Sequence, residues 1–109
     1  MRIPHFIHKI ISYKKYGITC CNASNLNDHI AKQIVNGIQY MLDDLMGHPA
    51  ELNDEQQWID ILTKIQKGFK EWVVDGGNYK YDEIDYKEKE KEFKEAMKLF
   101  SKYYMNLWN

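Results

Sequence analysis

Two histidines and two cysteines near the start of the chain are the residues whose types could hold a metal. His5 and His8 stand three apart, the adjacent pair Cys20 and Cys21 follows, and Asp28–His29 lies beyond. Three apart on one helix face suits two ligands of a zinc ion. Adjacent cysteines suit one tetrahedral site poorly, and neither a CxxC nor an HExxH spacing occurs in the chain. His5 and His8 therefore read as surface residues and the cysteines as small core or boundary residues. No metal and no cofactor is expected.

The second group with chemical potential is basic. Arg2, Lys9, Lys14 and Lys15 fall within residues 1–17 with no acid among them, and Tyr13 and Tyr16 are interleaved. Such a set could meet phosphates and stack a base. Four formal positives make a small patch on a chain of net charge −1, so a solvated helix face is the preferred reading. Nucleic acid is not the expected partner.

A third group is the loop DGGNYKYDEID, where Tyr79 and Tyr81 flank Lys80. Exposed tyrosines make good interface anchors. The same tyrosines could instead fold back and cap the end of a bundle, and both readings stand. Catalysis has less to draw on. Gly76–Gly77 is followed by no GK[ST], so it is a stop signal and not a phosphate loop. Ser12, Ser24 and Ser101 have no neighbourhood that suggests a Ser-His-Asp set. The chain is not expected to be an enzyme.

Helices must position these residues. In SNLNDHIAKQIVNGIQYMLDDLMG, Leu26, Ile30, Ala31, Ile34, Val35, Ile38, Met41, Leu42 and Leu45 share one half of a helical wheel, which predicts a helix over about 26–45. Ser24 or Asn25 can accept from its free N–H groups, and Gly47 before His48–Pro49 ends it. Asn53 with Gln56 three later has capping-box spacing, and Trp58, Leu62, Ile65, Phe69 and Trp72 recur at fours and threes over 54–74. The third long helix, 85–108, carries Phe93, Met97, Phe100, Tyr104 and Leu107 on the same seam. Tyr103 and Trp108 widen that seam, which makes the C-terminus a buried strut. PHFIHKIISYKKYG predicts a shorter helix over 5–16, with Pro4 in its first turn and a stripe of Phe6, Ile7, Ile10 and Ile11 ended by Gly17. ITCCNAS reads as a connector, and the acid–lysine run DYKEKEKEFKE as a solvated face.

Short loops join antiparallel neighbours, so the expected fold is all-α: a three-helix up-down-up bundle with an additional short N-terminal helix, in one domain over 1–109. Gly37 and Gly68 lie inside helices at or near the apolar arc. Close helix approach is the preferred reading of both, over a gap that holds a ligand. At 44% hydrophobic and 14% aromatic, the 109 residues have enough apolar area to fold without staples. Neighbouring cysteines cannot close a loop, no signal peptide is evident and no apolar run reaches bilayer length. A reducing cytoplasm is the expected compartment, with no membrane contact. Tyr40, Met105 and Ile59 could serve a contact between copies, so a homo-oligomer stays open.

Three blocks carry a resemblance. NLNDHIAKQIVNGIQYM is similar to N-L-D-x-x-[LI]-A-K-x-I, GHPAELNDEQQWIDILTKIQKGFKEW to H-x-P-x-x-L-x-x-E-x-W-x-x-I-L-x-K-I-x-x-G-F-E, and EAMKLFSKYYMNLWN to L-F-x-K-Y-F-x-x-L-W-[DN]. In this order they resemble a family of small helical proteins encoded by bacteriophages and prophages. Asn27 and Lys70 depart from that pattern, which has Asp and Glu there. The resemblance implies a phage-borne accessory gene acting in the host bacterial cytoplasm, and no particular reaction. The expected function is a non-enzymatic binding protein that antagonises a bacterial immune system by gripping a protein effector or sequestering a nucleotide signal. The candidate binding residues are Arg2, Lys9, Tyr13, Lys14, Lys15, Tyr16, Tyr79, Lys80 and Tyr81. The alternatives are a phage structural or morphogenesis component and, behind it, a DNA-binding regulator.

Overall fold

A computed structural model describes residues 4–74 and 83–107, and every regular element among them is helical. They are α1 (His5–Tyr16), α2 (Cys20–Ser24), α3 (Leu26–Asp43), α4 (Glu55–Phe69) continued by a π-helical turn (Lys70–Val74), and α5 (Glu83–Tyr103) continued by a 3-10 turn (Tyr104–Asn106). The chain falls into two compact units, 1–30 and 31–109, with the boundary inside α3.

In the first unit, Gly17 ends α1 in the left-handed region (φ 75°), its N–H bonding Tyr13 O at 2.8 Å. Only a residue without a Cβ adopts that conformation cheaply. The expected connector ITCCNAS contains a helix instead. Thr19 caps α2 by accepting from Asn22 N, and Ser12 Oγ on α1 accepts from Cys20 N at 2.8 Å. Ser24 and Asn25, the residues expected to cap α3, both bond back to α2: Ser24 Oγ donates to Cys20 O and Asn25 Nδ2 to Cys21 O. None of the α1 side chains is buried, and Phe6, Ile10 and Ile11 are at least half exposed.

In the second unit the core is made by Ala31, Ile38 and Met41 of α3, Trp58, Leu62, Ile65 and Phe69 of α4, and Ala96 and Tyr103 of α5. No buried side chain among the described residues is polar or charged. The cap of α4 sits one residue beyond the expected box: Asp54 Oδ1 accepts from Gln57 N at 2.9 Å, and Gln57 Oε1 accepts from Asn53 N at 3.0 Å. Gln66 ties α4 to α3 by donating to Val35 O and Gln39 Oε1, each at 3.0 Å.

α4 and α5 are antiparallel, as their ring pairs show. Trp58 meets Tyr103, Phe69 meets Phe100 and Phe93, and Trp72 meets Phe93 and Tyr86, so the α5 partner number falls as α4 advances. The two helices approach closely at Gly68, where an added Cβ would collide with Ala96 Cβ and stand 3.2 Å from Glu92 O. The helix expected to run to residue 74 widens after Phe69 into a π turn, and Lys70 N–H is shared between Gln66 O and Lys67 O. Trp72, in that turn, lies with its ring near-parallel to Phe93, 6.1 Å between centroids. The expected C-terminal seam holds in part: Tyr103 is buried and Phe93, Phe100 and Leu107 pack against the core, whereas Met97 and Tyr104 are exposed, and Trp108 lies outside the described residues.

An ion pair reinforces the π turn. Lys89 Nζ lies 2.7 Å from Glu71 Oε2 and 3.5 Å from Glu92 Oε2. Partial burial would push the Glu71 carboxyl up, but the Lys89 hydrogen bond and charge, helped by Lys67, outweigh it and hold the carboxyl below its ordinary value. The Glu71 bond in turn raises the Lys89 ammonium above its own. A lowered carboxylate contributes stability that is present above its unfolded pKa and lost as pH falls through the folded one. The raised ammonium contributes stability below its unfolded pKa, lost as pH rises through the folded one. Glu71→Gln is therefore expected to cost about 0.5–1 kcal/mol at neutral pH. Urea titrations repeated down the carboxylate range should show the two proteins converging. A gap that persists in acid would mean that packing, and not charge, is what the substitution disturbs.

Candidate functional site

The second unit carries an open apolar groove of about 430 Å³, lined by Gln33, Ile34, Gly37, Ile38, Tyr40 and Met41 of α3 with Phe100 and Leu107. Helical spacing explains the lining. Gln33, Gly37 and Tyr40 follow one another at i, i+4 and i+7 along one stripe, and Ile34, Ile38 and Met41 form the next. The second stripe contributes to the core, with Ile38 and Met41 buried, and makes the floor. The first forms the wall, with Tyr40 66% exposed.

Gly37 is the gap between Gln33 and Tyr40. A Cβ placed there would meet nothing within 4 Å, so close helix approach does not account for this glycine, in contrast to Gly68. A mid-helix glycine costs about 1 kcal/mol relative to alanine, and here no packing offsets it. The space it leaves belongs to the groove. Beyond Phe100, Tyr104 lies edge-on to its ring at 5.5 Å and is itself mostly exposed, as is Met105. A concave apolar floor with a phenol and an amide on its wall suits an inserted aliphatic or aromatic side chain, with a hydrogen bond available at the rim.

The expected binding residues are distributed differently. Lys9, Tyr13 and Tyr16 occupy one stripe of α1, and both tyrosines are exposed. Lys14 and Lys15 project to either side of that stripe, although the Lys15 ammonium reaches over the Tyr16 ring at 5.2 Å. Arg2, Tyr79, Lys80 and Tyr81 lie outside the described residues. His5, Cys20 and Cys21 bring their donor atoms within 4.8 Å of one another, and His8, one turn on, is exposed and is not part of this cluster.

Comparisons with protein-family models, curated proteins and solved structures return no match. The groove and the His-Cys cluster therefore rest on their own chemistry. The sequence offered a gap at Gly37 only as the less favoured reading, and the preferred close approach is what the open space there overturns. The available signal was a glycine inside a strongly amphipathic helix with an aromatic residue three positions on.

Proposed function

We propose that this chain is a non-enzymatic accessory binding protein of phage origin that antagonises a bacterial immune component by stoichiometric binding in the host cytoplasm. The observation that carries the reading is the open groove at Gly37, with Tyr40 at its wall and an apolar floor. It suits a protein effector that inserts an apolar side chain, and so favours that version over capture of a nucleotide signal. In the same proposal α3, α4 and α5 form an up-down-up three-helix bundle, consistent with their shared core. The phage setting rests on the three sequence blocks.

Gly37→Leu tests binding apart from folding, because a Cβ at this position meets nothing within 4 Å and the side chain beyond it would occupy the groove. Phage carrying it should grow normally on an undefended host and plate at least about tenfold worse on a defended one, the effect of losing about 1.4 kcal/mol at one anchor. Protection unchanged by Gly37→Leu and Tyr40→Asp but lost on Lys9→Glu with Lys15→Glu would favour the nucleotide version. Particle yield lost on deletion of the gene in an undefended host would favour the morphogenesis role.

A further inference from the structure

We propose that His5, Cys20 and Cys21 form a three-ligand site for zinc that clips the first turn of α1 to the first turn of α2. His5 Nε2 lies 2.9 Å from Cys21 Sγ, and the three donor atoms lie within 4.8 Å of one another. Tetrahedral zinc with two sulfurs and one nitrogen spaces these atoms by about 3.5–3.8 Å, so displacements of about 1 Å or less seat the ion. Both cysteines are free thiols and half-buried, whereas His5 is exposed.

The objection that adjacent cysteines cannot share an ion fails on geometry. Successive residues of a helix diverge by about 100°, and two such side chains can converge on a point outside the helix when a third donor stands there. His5, projecting from α1, is that donor. The cysteine backbone is already fixed: Cys20 N donates to Ser12 Oγ at 2.8 Å and Cys20 O accepts from Ser24 Oγ at 2.9 Å. Thiolate and imidazole donors select zinc over magnesium or calcium. Three protein ligands leave a fourth position for water or for an incoming donor, on the side where His5 meets solvent. On binding, each thiol releases its proton to the buffer and the neutral imidazole contributes its Nε2 lone pair, so two thiolates balance the ion's charge. The site does not depend on the groove or on the binding role proposed for it.

The experiment is a zinc titration of the metal-stripped full chain against a chromophoric chelator, with cobalt as the spectroscopic substitute. The expected result is one ion per chain, proton release, a thiolate-to-cobalt charge-transfer band and intense tetrahedral ligand-field bands. Cys20→Ser, Cys21→Ser and His5→Ala should each weaken binding at least about tenfold, whereas His8→Ala should not. Amide exchange over 5–24 should slow when zinc is present. The cobalt spectrum of the unsubstituted chain reports its ligands even if a variant folds poorly. Equal affinity for the urea-unfolded chain, indifference to His5→Ala, or one ion shared by two chains would overturn the site.

Discussion

Trp58→Ala is expected to destabilise the 31–109 unit by about 3–5 kcal/mol, the range for truncating a buried aromatic residue. Trp58 is 2% exposed and lies edge-to-face with Tyr103, ring centroids 5.5 Å apart. This pair joins the first turn of α4 to the last turn of α5, so its loss opens a cavity where the two helix ends are held together. Leu62 and Ile65, both fully buried, stand one and two turns further along the same face. A domain of this size has about 5–15 kcal/mol of stability in total, and the substitution removes a large share of it. Urea unfolding followed by circular dichroism measures the loss, and Trp58→Phe should recover much of it. A cost below about 1 kcal/mol would mean that the end of α5 is not held as the ring geometry implies.

The second large effect concerns the two mid-helix glycines, which should respond with opposite signs. Alanine for glycine in a helix gains up to about 1 kcal/mol where there is room. At Gly37 there is room, so Gly37→Ala should stabilise. At Gly68 the new methyl collides with Ala96 Cβ, and Glu92 O follows at 3.2 Å. Neither is the end of a flexible side chain, so the helices must separate, and the aromatic contacts of Phe69 with Phe93 and Phe100 loosen with them. Overpacking of this kind costs about 1–3 kcal/mol, which outweighs the propensity gain. Gly68→Ala is therefore expected to lower the urea midpoint, and Ala96→Gly on that background should restore part of it. A stabilised Gly68→Ala protein would show that α4 and α5 lie further apart at this crossing.

Much of the helix content could be read directly. The 4-3 recurrence of Trp58, Leu62, Ile65 and Phe69 is the pattern of the buried α4 face, because a helix repeats every 3.6 residues and the core selects one side. Gly17 was legible as a terminator for an equally local reason, the positive φ it alone tolerates. The caps were harder. Ser24 and Asn25 have the right chemistry to start α3, and no local spacing shows that both also donate to carbonyls of α2, Cys20 O and Cys21 O. The π turn after Phe69 had no sequence mark. It is the point at which α4 re-aims Trp72 onto Phe93 and Tyr86 of α5.

The two candidate sites divide in the same way. The sequence shows His5 and Cys21 sixteen positions apart and argues against the adjacent cysteines. Their approach depends on α2 forming where a connector was expected and turning back along α1 through Ser12 and Cys20. The groove depends on how far Phe100 and Leu107 stand from the Gly37 face of α3. By itself, the sequence determined that the described residues are helical, where α1, α3, α4 and α5 begin to within about two residues, and which side of α4 is buried, because those properties follow from spacings within a few residues. Only the tertiary structure decided that Gly68 closes a crossing while Gly37 opens a groove, and that a histidine and two thiols converge. Those outcomes are set by distances between elements, and no local spacing encodes such a distance.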